Sequence, residues 1–184
     1  YPSGAKMLIN ELSFTIGGGG TNTACGFARM GHTTGYIGCV GDDENAIRIK
    51  HLLQQDNVDF LGHVSKYQTG YSIILDSIEH DRTILTYKGA NDHLTFTDIP
   101  QKALQTKWFY FSSMMKESFV AQTKIAQYAQ KKGIKIAYNP SQYQAKQGYE
   151  KLKPVLNATD ILILNKEEAQ LIAGFGNEKD ILTR

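Results

Sequence analysis

The stretch Gly17-Gly18-Gly19-Gly20-Thr21-Asn22 decides the fold, because it joins a predicted strand to a predicted helix through a run of glycines. Residues 7–16 before it mix β-branched and apolar side chains in partial alternation, which favours a strand. After the run, Thr21 is predicted to cap a helix that Gly31 ends. Nine of the 17 glycines fall between Gly17 and Gly41, so backbone freedom is concentrated in one early strand–turn–helix unit. We expect the function to lie there.

The region after this unit continues the alternation of strand and helix. Residues 34–40 are predicted to form a strand, with Asp42 and Asp43 capping the following helix. Residues 58–88 then change character, because β-favouring side chains recur on both sides of a polar stretch at 77–82 that suits a hairpin tip. This block and the strand at 7–16 are predicted to form a small inserted β-sheet.

The second half of the chain repeats the strand-then-helix pattern with short connections. Such repeats imply an α/β fold in which helices cover both faces of a parallel sheet. Ligands of these folds bind beyond the carboxyl ends of the strands. A further helix is expected to begin at 178–184. Strands are predicted at 108–112, 134–138 and 161–164, and helices at 121–133, 149–156 and 166–173.

The glycine run alone supports two interpretations. It can bring a ligand close to the backbone and present helix N–H groups to it, or it can be a tight turn that binds nothing. A dinucleotide fingerprint fits poorly. Its spacing can be obtained by choosing among the glycines, but the unit should place an acid near the end of the next strand, and here that strand ends in Gly41-Asp42-Asp43. No Gly-Lys-Ser/Thr follows the run, which excludes a Walker-type phosphate loop.

From Gly17 to Asp43 the sequence resembles the first signature of the ribokinase (PfkB) family of carbohydrate and nucleoside kinases. The resemblance implies a ribokinase-like parallel sheet flanked by helices on both faces, with a small inserted β-sheet lid. Residues 1–184 would form an incomplete domain of this type, with lid strands at about 7–16 and 58–88. The other matching motifs are Thr69-Gly70, Gly89-Ala90-Asn91, Asn139-Pro140 and the Asn-x-x-Glu segment Asn165–Glu168.

The resemblance also implies roles for matching residues on the substrate side. Backbone groups of Gly17 and Gly18, with the Asn22 side chain, would bind the hydroxyls of a sugar or sugar derivative beneath the lid. The turn Gly89-Ala90-Asn91 would line the same site. Ser113 stands where ribokinase has an acidic sugar ligand, which makes specificity for ribose doubtful.

On the nucleotide side, the resemblance implies ATP and Mg²⁺. Asn165 would approach the ATP phosphates, and Glu168 would help hold Mg²⁺ through water, since Mg²⁺ favours carboxylate, water and phosphate oxygens. The structural alternative for Glu168 is an exposed first-turn carboxylate that the helix dipole stabilises.

The family's Gly-Ala-Gly-Asp segment, which supplies the catalytic base and the anion hole, does not occur in the sequence. Gly89-Ala90-Asn91-Asp92 comes too early in the chain to replace it. No catalytic residue is therefore assigned, and residues 1–184 alone are expected to be inactive. The expected function of the intact protein is ATP-dependent phosphoryl transfer to a sugar hydroxyl. The alternatives are a nucleoside kinase of the same fold, a non-catalytic sugar-binding or dimerisation module, and a nucleotide-binding oxidoreductase.

The composition and the net charge exclude or disfavour several other classes of protein. The 184 residues are 41% hydrophobic and 21% charged, with a formal net charge of +2, which excludes disorder and disfavours binding to nucleic acid or membranes through bulk charge. Cys25 and Cys39 lack the spacing of a metal site and suit reduced thiols in the cytoplasm. A homodimer through the lid strands is a possible assembly, as is common in the resembled family.

Overall fold

The computed structural model describes residues 4, 6, 8–9, 11–76, 82–174 and 176. Strands and helices alternate through these residues, with short 3₁₀ turns between the sixth and seventh strands. The elements are α1 (Gly19–Arg29), β1 (Thr34–Tyr36), β2 (Cys39–Val40), α2 (Glu44–Gln55), β3 (Val58–Phe60), β4 (His63–Val64), β5 (Tyr71–Asp76), β6 (Arg82–Tyr87), β7 (Trp108–Phe111), α3 (Lys116–Lys132), β8 (Lys135–Tyr138), α4 (Ser141–Ala145), α5 (Tyr149–Leu156), β9 (Ile161–Leu162) and α6 (Lys166–Ala173).

The first half of the chain contains one parallel pairing in two short pieces. β1 pairs with β3 and β2 with β4, and the same register runs through both, from Thr34 opposite Val58 to Val40 opposite Val64. The pairing is interrupted where Gly38 lies opposite Gly62. Because Gly62 has no side chain, the two backbones approach closely there. The predicted strand at 34–40 is therefore present, with a break in its middle.

This pairing corrects the predicted extent of the lid. Residues 58–64 were expected in the inserted sheet, but they lie in the parallel pairing beside 34–40. Their β-favouring side chains predict a strand without specifying its partner. The antiparallel insertion consists of β5 and β6, which pair from Tyr71 opposite Tyr87 to Asp76 opposite Arg82. Residues 77–81 of the predicted tip lie outside the described part of the chain.

The strand predicted at 7–16 is wrong for the residues described there, since 8–9 and 11–16 form no strand. Leu12 and Phe14 are 68% and 65% exposed. A strand is stable only when its backbone groups find partners in a neighbouring strand, and apolar alternation cannot show whether such a partner exists. The helix expected at 178–184 lies outside the described residues.

The second half forms a three-stranded parallel sheet in the order β7-β8-β9, with helices between consecutive strands. α3 buries Ala121, Ile125 and Ala129 on one face and ends at Gly133, whose φ of +67° suits a helix C-terminus. Tyr138 and Ile136 of β8 are fully buried in the main apolar core. The strands predicted at 108–112 and 134–138 and the helices predicted at 149–156 and 166–173 are confirmed to within one residue at each end. The helix predicted at 121–133 already begins at Lys116, the strand predicted at 161–164 covers only Ile161–Leu162, and α4 was not predicted. No helix among the described residues is long and apolar enough to span a bilayer.

Candidate functional site

The glycine run forms the N-terminus of α1. Gly18 is the N-cap residue, with φ +103°, a conformation that L side chains rarely adopt. The helix therefore starts before Thr21, which is buried within its first turn and is not the cap, contrary to the prediction. The first helical bond runs from the Asn22 N–H to the Gly18 carbonyl over 2.9 Å, so the amides that precede Asn22 have no earlier helical turn to donate to. Asn22 has an exposed side chain in this turn.

The four glycines of this turn have different surroundings. A Cβ atom on Gly19 would lie 2.5 Å from the Ser112 Oγ, and one on Gly20 would lie 3.2 Å from Cε2 of Tyr36. A Cβ on Gly17 would meet no atom of the described residues within 4 Å, and the φ of Gly17 is outside the left-handed region. A side chain at Gly19 or Gly20 would therefore displace Ser112 or Tyr36, whereas a side chain at Gly17 would displace none of the described residues.

Ser112 was not predicted as a site residue, but it is the residue after β7 that contacts the turn. Ser113, which was predicted, has a buried hydroxyl without a hydrogen-bond partner in the described residues. Both follow the carboxyl end of a parallel strand, where this class of fold places its ligands. The alternation of the strand indicates where it ends, but it cannot show which of two adjacent serines faces the helix.

The base of the β5–β6 hairpin is a second region of close backbone contacts. Ala90 N–H donates to the Gln68 carbonyl over 2.8 Å, and a Cβ on Gly70 would lie 2.8 Å from the Lys88 carbonyl oxygen. Gly89 turns the chain with φ +48°. The predicted residues Gly89, Ala90 and Asn91 thus join the exit of the hairpin to its entry; Ala90 is buried and Asn91 is exposed.

Asp43 holds this base from the start of α2. Its Oδ2 accepts from the Thr69 N–H at 2.7 Å, and its Oδ1 accepts from the Thr69 hydroxyl at 2.7 Å and from the Ala46 N–H at 2.9 Å. The Gly41 N–H in turn donates to the Thr69 hydroxyl oxygen over 2.9 Å. Partial burial pushes the pKa of Asp43 upward, but the hydrogen bonds from Thr69 and Ala46 outweigh this effect and place that pKa below its usual range. The predicted cap is confirmed, and it also anchors the hairpin.

A cleft of about 470 Å³ opens beside this base. The N-terminus of α2 and the cross-strand pair Tyr71 and Tyr87 contribute to its wall. None of the glycine-turn residues is among those that line it. Its lining residues are Asp43, Glu44, Asn45, Gln68, Thr69, Tyr71 and Tyr87.

Asn165 and Glu168 form a reciprocal cap at the start of α6. The Glu168 N–H donates to Asn165 Oδ1 over 2.8 Å, and the Asn165 N–H donates to Glu168 Oε2 over 3.1 Å. Glu168 is only 7% exposed, so the alternative of an exposed first-turn carboxylate is wrong. One carboxylate oxygen is committed to the cap, and the described residues contain no group of three or more His, Cys, Asp or Glu side chains that could hold a metal ion. A metal here would therefore take most of its ligands from substrate phosphates and water, as Mg²⁺ commonly does.

Nearly the whole chain matches one protein family. The model of pfkB family carbohydrate kinases matches residues 2–184. The chain belongs to the pfkB family. This pfkB chain is 29% identical over 174 residues to ribokinase of Haemophilus influenzae, covering 93% of the chain and 55% of the relative. It is 32% identical over 102 residues to aminoimidazole riboside kinase of Salmonella typhimurium, covering 53% of the chain and 32% of the relative. The chain spans about half the length of the ribokinase it matches.

Solved structures confirm the ribokinase-like α/β fold predicted for the pfkB chain. Adenosine kinase from Schistosoma mansoni in complex with adenosine superposes with a TM-score of 0.82 at 19% identity, over 95% of this chain and 54% of the other. 2-Dehydro-3-deoxygluconokinase from Thermotoga maritima superposes with a TM-score of 0.79 at 18% identity, over 92% of this chain and 56% of the other. At these identities the likeness establishes the fold alone.

Proposed function

We propose that the intact protein transfers the γ-phosphoryl group of ATP to a hydroxyl of a sugar or sugar-containing acceptor, and that the residues described above supply the acceptor side. The observation that carries this proposal is the open space at Gly17. Among the described residues, no atom lies within 4 Å of the position that its side chain would take, so this exposed end of the turn has room for an acceptor beside the first turn of α1. The neighbouring α1 amides are donors suited to hydroxyl oxygens.

Within this site, Gly17 and Gly18 bind acceptor hydroxyls through their backbone and Asn22 binds through its exposed amide. Ser113 adds a hydroxyl just after the end of β7, and this buried hydroxyl has no hydrogen-bond partner among the described residues. Gly89, Ala90 and Asn91 set the position of the hairpin, which closes over the acceptor and excludes water. Such closure favours transfer to the acceptor over hydrolysis of ATP.

For the nucleotide, we assign Asn165 to the ATP phosphates and Glu168 to Mg²⁺ through water. The capping box fixes both side chains relative to the first turn of α6. Mg²⁺ would supply neutralisation of charge on the transferred phosphoryl group. The resembled family takes its catalytic base from a Gly-Ala-Gly-Asp segment that this sequence lacks, so we expect residues 1–184 alone to bind the acceptor without turnover. The two cysteines are buried free thiols, which supports a cytoplasmic location.

The test is an assay of the full-length protein for conversion of ATP to ADP with a panel of sugars, sugar acids, sugar phosphates and nucleosides. We expect ADP formation that depends on Mg²⁺ and on one acceptor class. A protein whose melting temperature rises with a sugar but that forms no ADP with any acceptor would instead be a non-catalytic binding module. A rise with NAD alone would identify a nucleotide-binding oxidoreductase.

We also propose that a second copy of the chain covers one face of the hairpin. Ile73 and Leu85 form a cross-strand pair that is 49% and 54% exposed, and Tyr71 and Tyr87 extend the same face. Such a face is a candidate interface, because exposed apolar strand surfaces promote association. Sedimentation equilibrium should show a dimer that Leu85→Lys converts to monomer, whereas Thr86→Lys, on the opposite face, leaves the dimer intact. A monomeric parent protein would contradict this proposal.

A further inference from the structure

Three buried side chains form a continuous line of hydrogen bonds behind the end of β7. The Tyr138 hydroxyl donates to Gln144 Oε1 over 3.0 Å, and Gln144 Nε2 donates to Gln122 Oε1 over 3.0 Å. Gln122 Nε2 then donates to the Ser112 carbonyl over 2.8 Å. Tyr138 and Gln144 are 0% exposed and Gln122 is 1% exposed. The line therefore connects β8, α4 and α3 to the carboxyl end of β7.

The line has a fixed direction. Burial raises the pKa of Tyr138, so its hydroxyl stays protonated and donates at any working pH. The Gln144 oxygen accepts the hydrogen bond from this hydroxyl, so the Gln144 NH₂ group is the one that donates to Gln122. The Gln122 amide is oriented in the same way, with its NH₂ group facing the Ser112 carbonyl. Because buried polar groups are costly unless they are hydrogen-bonded, each member holds the next in one orientation.

The last acceptor in the line belongs to the residue that touches the glycine turn. Ser112 Oγ occupies the space where a side chain on Gly19 would be, and the Ser112 Cβ lies 4.0 Å from the corresponding position on Gly20. The Ser112 carbonyl is also part of the planar peptide that leads into Ser113. A hydrogen bond to this carbonyl therefore constrains both the contact with the turn and the direction in which Ser113 leaves the strand.

We propose that Gln122 is a positioning residue for acceptor binding. It does not touch the acceptor, but it fixes the Ser112–Ser113 peptide against the N-terminus of α1, so that Ser113 and the turn face the acceptor in one geometry. An aliphatic side chain of the same length could fill the space beside the core without orienting that peptide. This inference rests on the acceptor site assigned above to the glycine turn.

The test compares Gln122→Met with Thr123→Val in the full-length protein, using the acceptor that gives ADP formation. Thr123 is the neighbouring residue on α3, and among the described residues its hydroxyl bonds only to the Phe119 carbonyl within the helix, over 3.0 Å. Gln122→Met should raise the acceptor KM by about tenfold, because small displacements of a binding group are costly. The ATP KM should change less than twofold in both variants, and Thr123→Val should leave the acceptor KM unchanged.

Gln122→Glu separates positioning from packing. A protonated glutamic acid offers one donor and one acceptor, and can replace both bonds of the glutamine. Burial raises the pKa of such a carboxyl, so the acceptor KM should be near that of the parent at about pH 6 and should rise by about pH 9. A structural role alone would give a pH-independent KM.

An acceptor KM unchanged in Gln122→Met, or raised equally in Thr123→Val, would overturn the inference while the kinase assignment stands. A pH-independent acceptor KM in Gln122→Glu would also overturn it. Failure of the kinase assignment itself has a different signature, namely the absence of ADP formation by the parent protein with every acceptor.

Discussion

The glycine turn and the hairpin base are both rich in glycine, but their glycines have different neighbours. At the hairpin base, side chains on Gly41, Gly70 and Gly89 would run into backbone atoms of the protein. At the open end of the glycine turn, a side chain on Gly17 would meet nothing within 4 Å. The first set is needed for the protein to close on itself. Packing among the described residues does not require a glycine at position 17, which leaves room there for the acceptor that we propose.

The largest effect expected from this contrast is at the hairpin base. A Cβ at Gly41 would lie 2.7 Å from the Thr69 nitrogen, and its accommodation would disturb the bond from the Gly41 N–H to the Thr69 hydroxyl. Gly41→Ala should therefore lower the free energy of unfolding by about 2–3 kcal/mol. Denaturant titration checks this value, with Gly26→Ala in α1 as the control because its Cβ position is empty. If the two variants were equally stable, the close backbone contacts at Gly41 would not distinguish it from Gly26, where a Cβ has no neighbour among the described residues.

A smaller effect is expected at Asp43. Asp43→Asn keeps an oxygen that can accept from the Ala46 N–H, but it places an NH₂ group against the Thr69 N–H, so that two donors face each other. This change should lower the free energy of unfolding by about 1–2 kcal/mol near pH 7. The pKa of Asp43 is lowered in the folded state, so its stabilisation is complete above the ordinary value of about 3.9 and is lost as the pH falls through the folded-state pKa. The acid-induced loss of stability should thus be shallower in Asp43→Asn than in the parent.

Amide hydrogen exchange locates this change. The Thr69 amide should lose protection in Asp43→Asn, because the carboxylate oxygen that accepts its proton is gone. Equal slopes of unfolding free energy against pH in the two proteins, with Thr69 still protected, would show that Asp43 does not anchor the hairpin.

A still smaller effect is expected where the glycine turn meets β7. A side chain on Gly19 would lie 2.5 Å from Ser112 Oγ but 3.7 Å from Ser112 Cβ. Since the hydroxyl can rotate away, Gly19→Ala should cost only about 1 kcal/mol. Adding Ser112→Ala removes the hydroxyl that the new methyl group meets, so the double variant should regain the lost stability in thermal unfolding. Additive losses in a double-mutant cycle would contradict the contact between the two residues.

Much of this account was predictable because the deciding residues act locally. The run of glycines predicted the turn before α1, and Asp43 was recognisable as the N-cap of α2. The apolar period of α3 predicted a helix that ends at Gly133. The pairing of strands was less predictable, since residues 58–64 and 7–16 have β-favouring side chains whatever partner they find. The parallel pairing of 58–64 beside 34–40 became evident only in three dimensions.

The parts of the site that depend on contacts between distant elements also escaped prediction. Ser112 and Ser113 are equivalent in the sequence, and only the packing of α1 on β7 distinguishes them. Gln122 left a weak signal, because it is a polar residue on the α3 face that buries Ser118, Ile125 and Ala129. Periodicity predicts that such a residue is buried, but it does not show which group it bonds to.

The acceptor KM of Gly17→Ala, measured in the full-length protein beside Gly26→Ala, tests the central claim most directly. At both positions a Cβ would meet none of the described residues within 4 Å and φ is outside the left-handed region, so neither change should destabilise the fold. We expect Gly26→Ala to stabilise α1 by about 0.5–1 kcal/mol without changing the KM. Gly17→Ala should leave stability unchanged and raise the acceptor KM by about tenfold, because its methyl group enters space that the acceptor occupies. An acceptor KM in Gly17→Ala equal to that of Gly26→Ala would contradict the claim that the turn binds the acceptor.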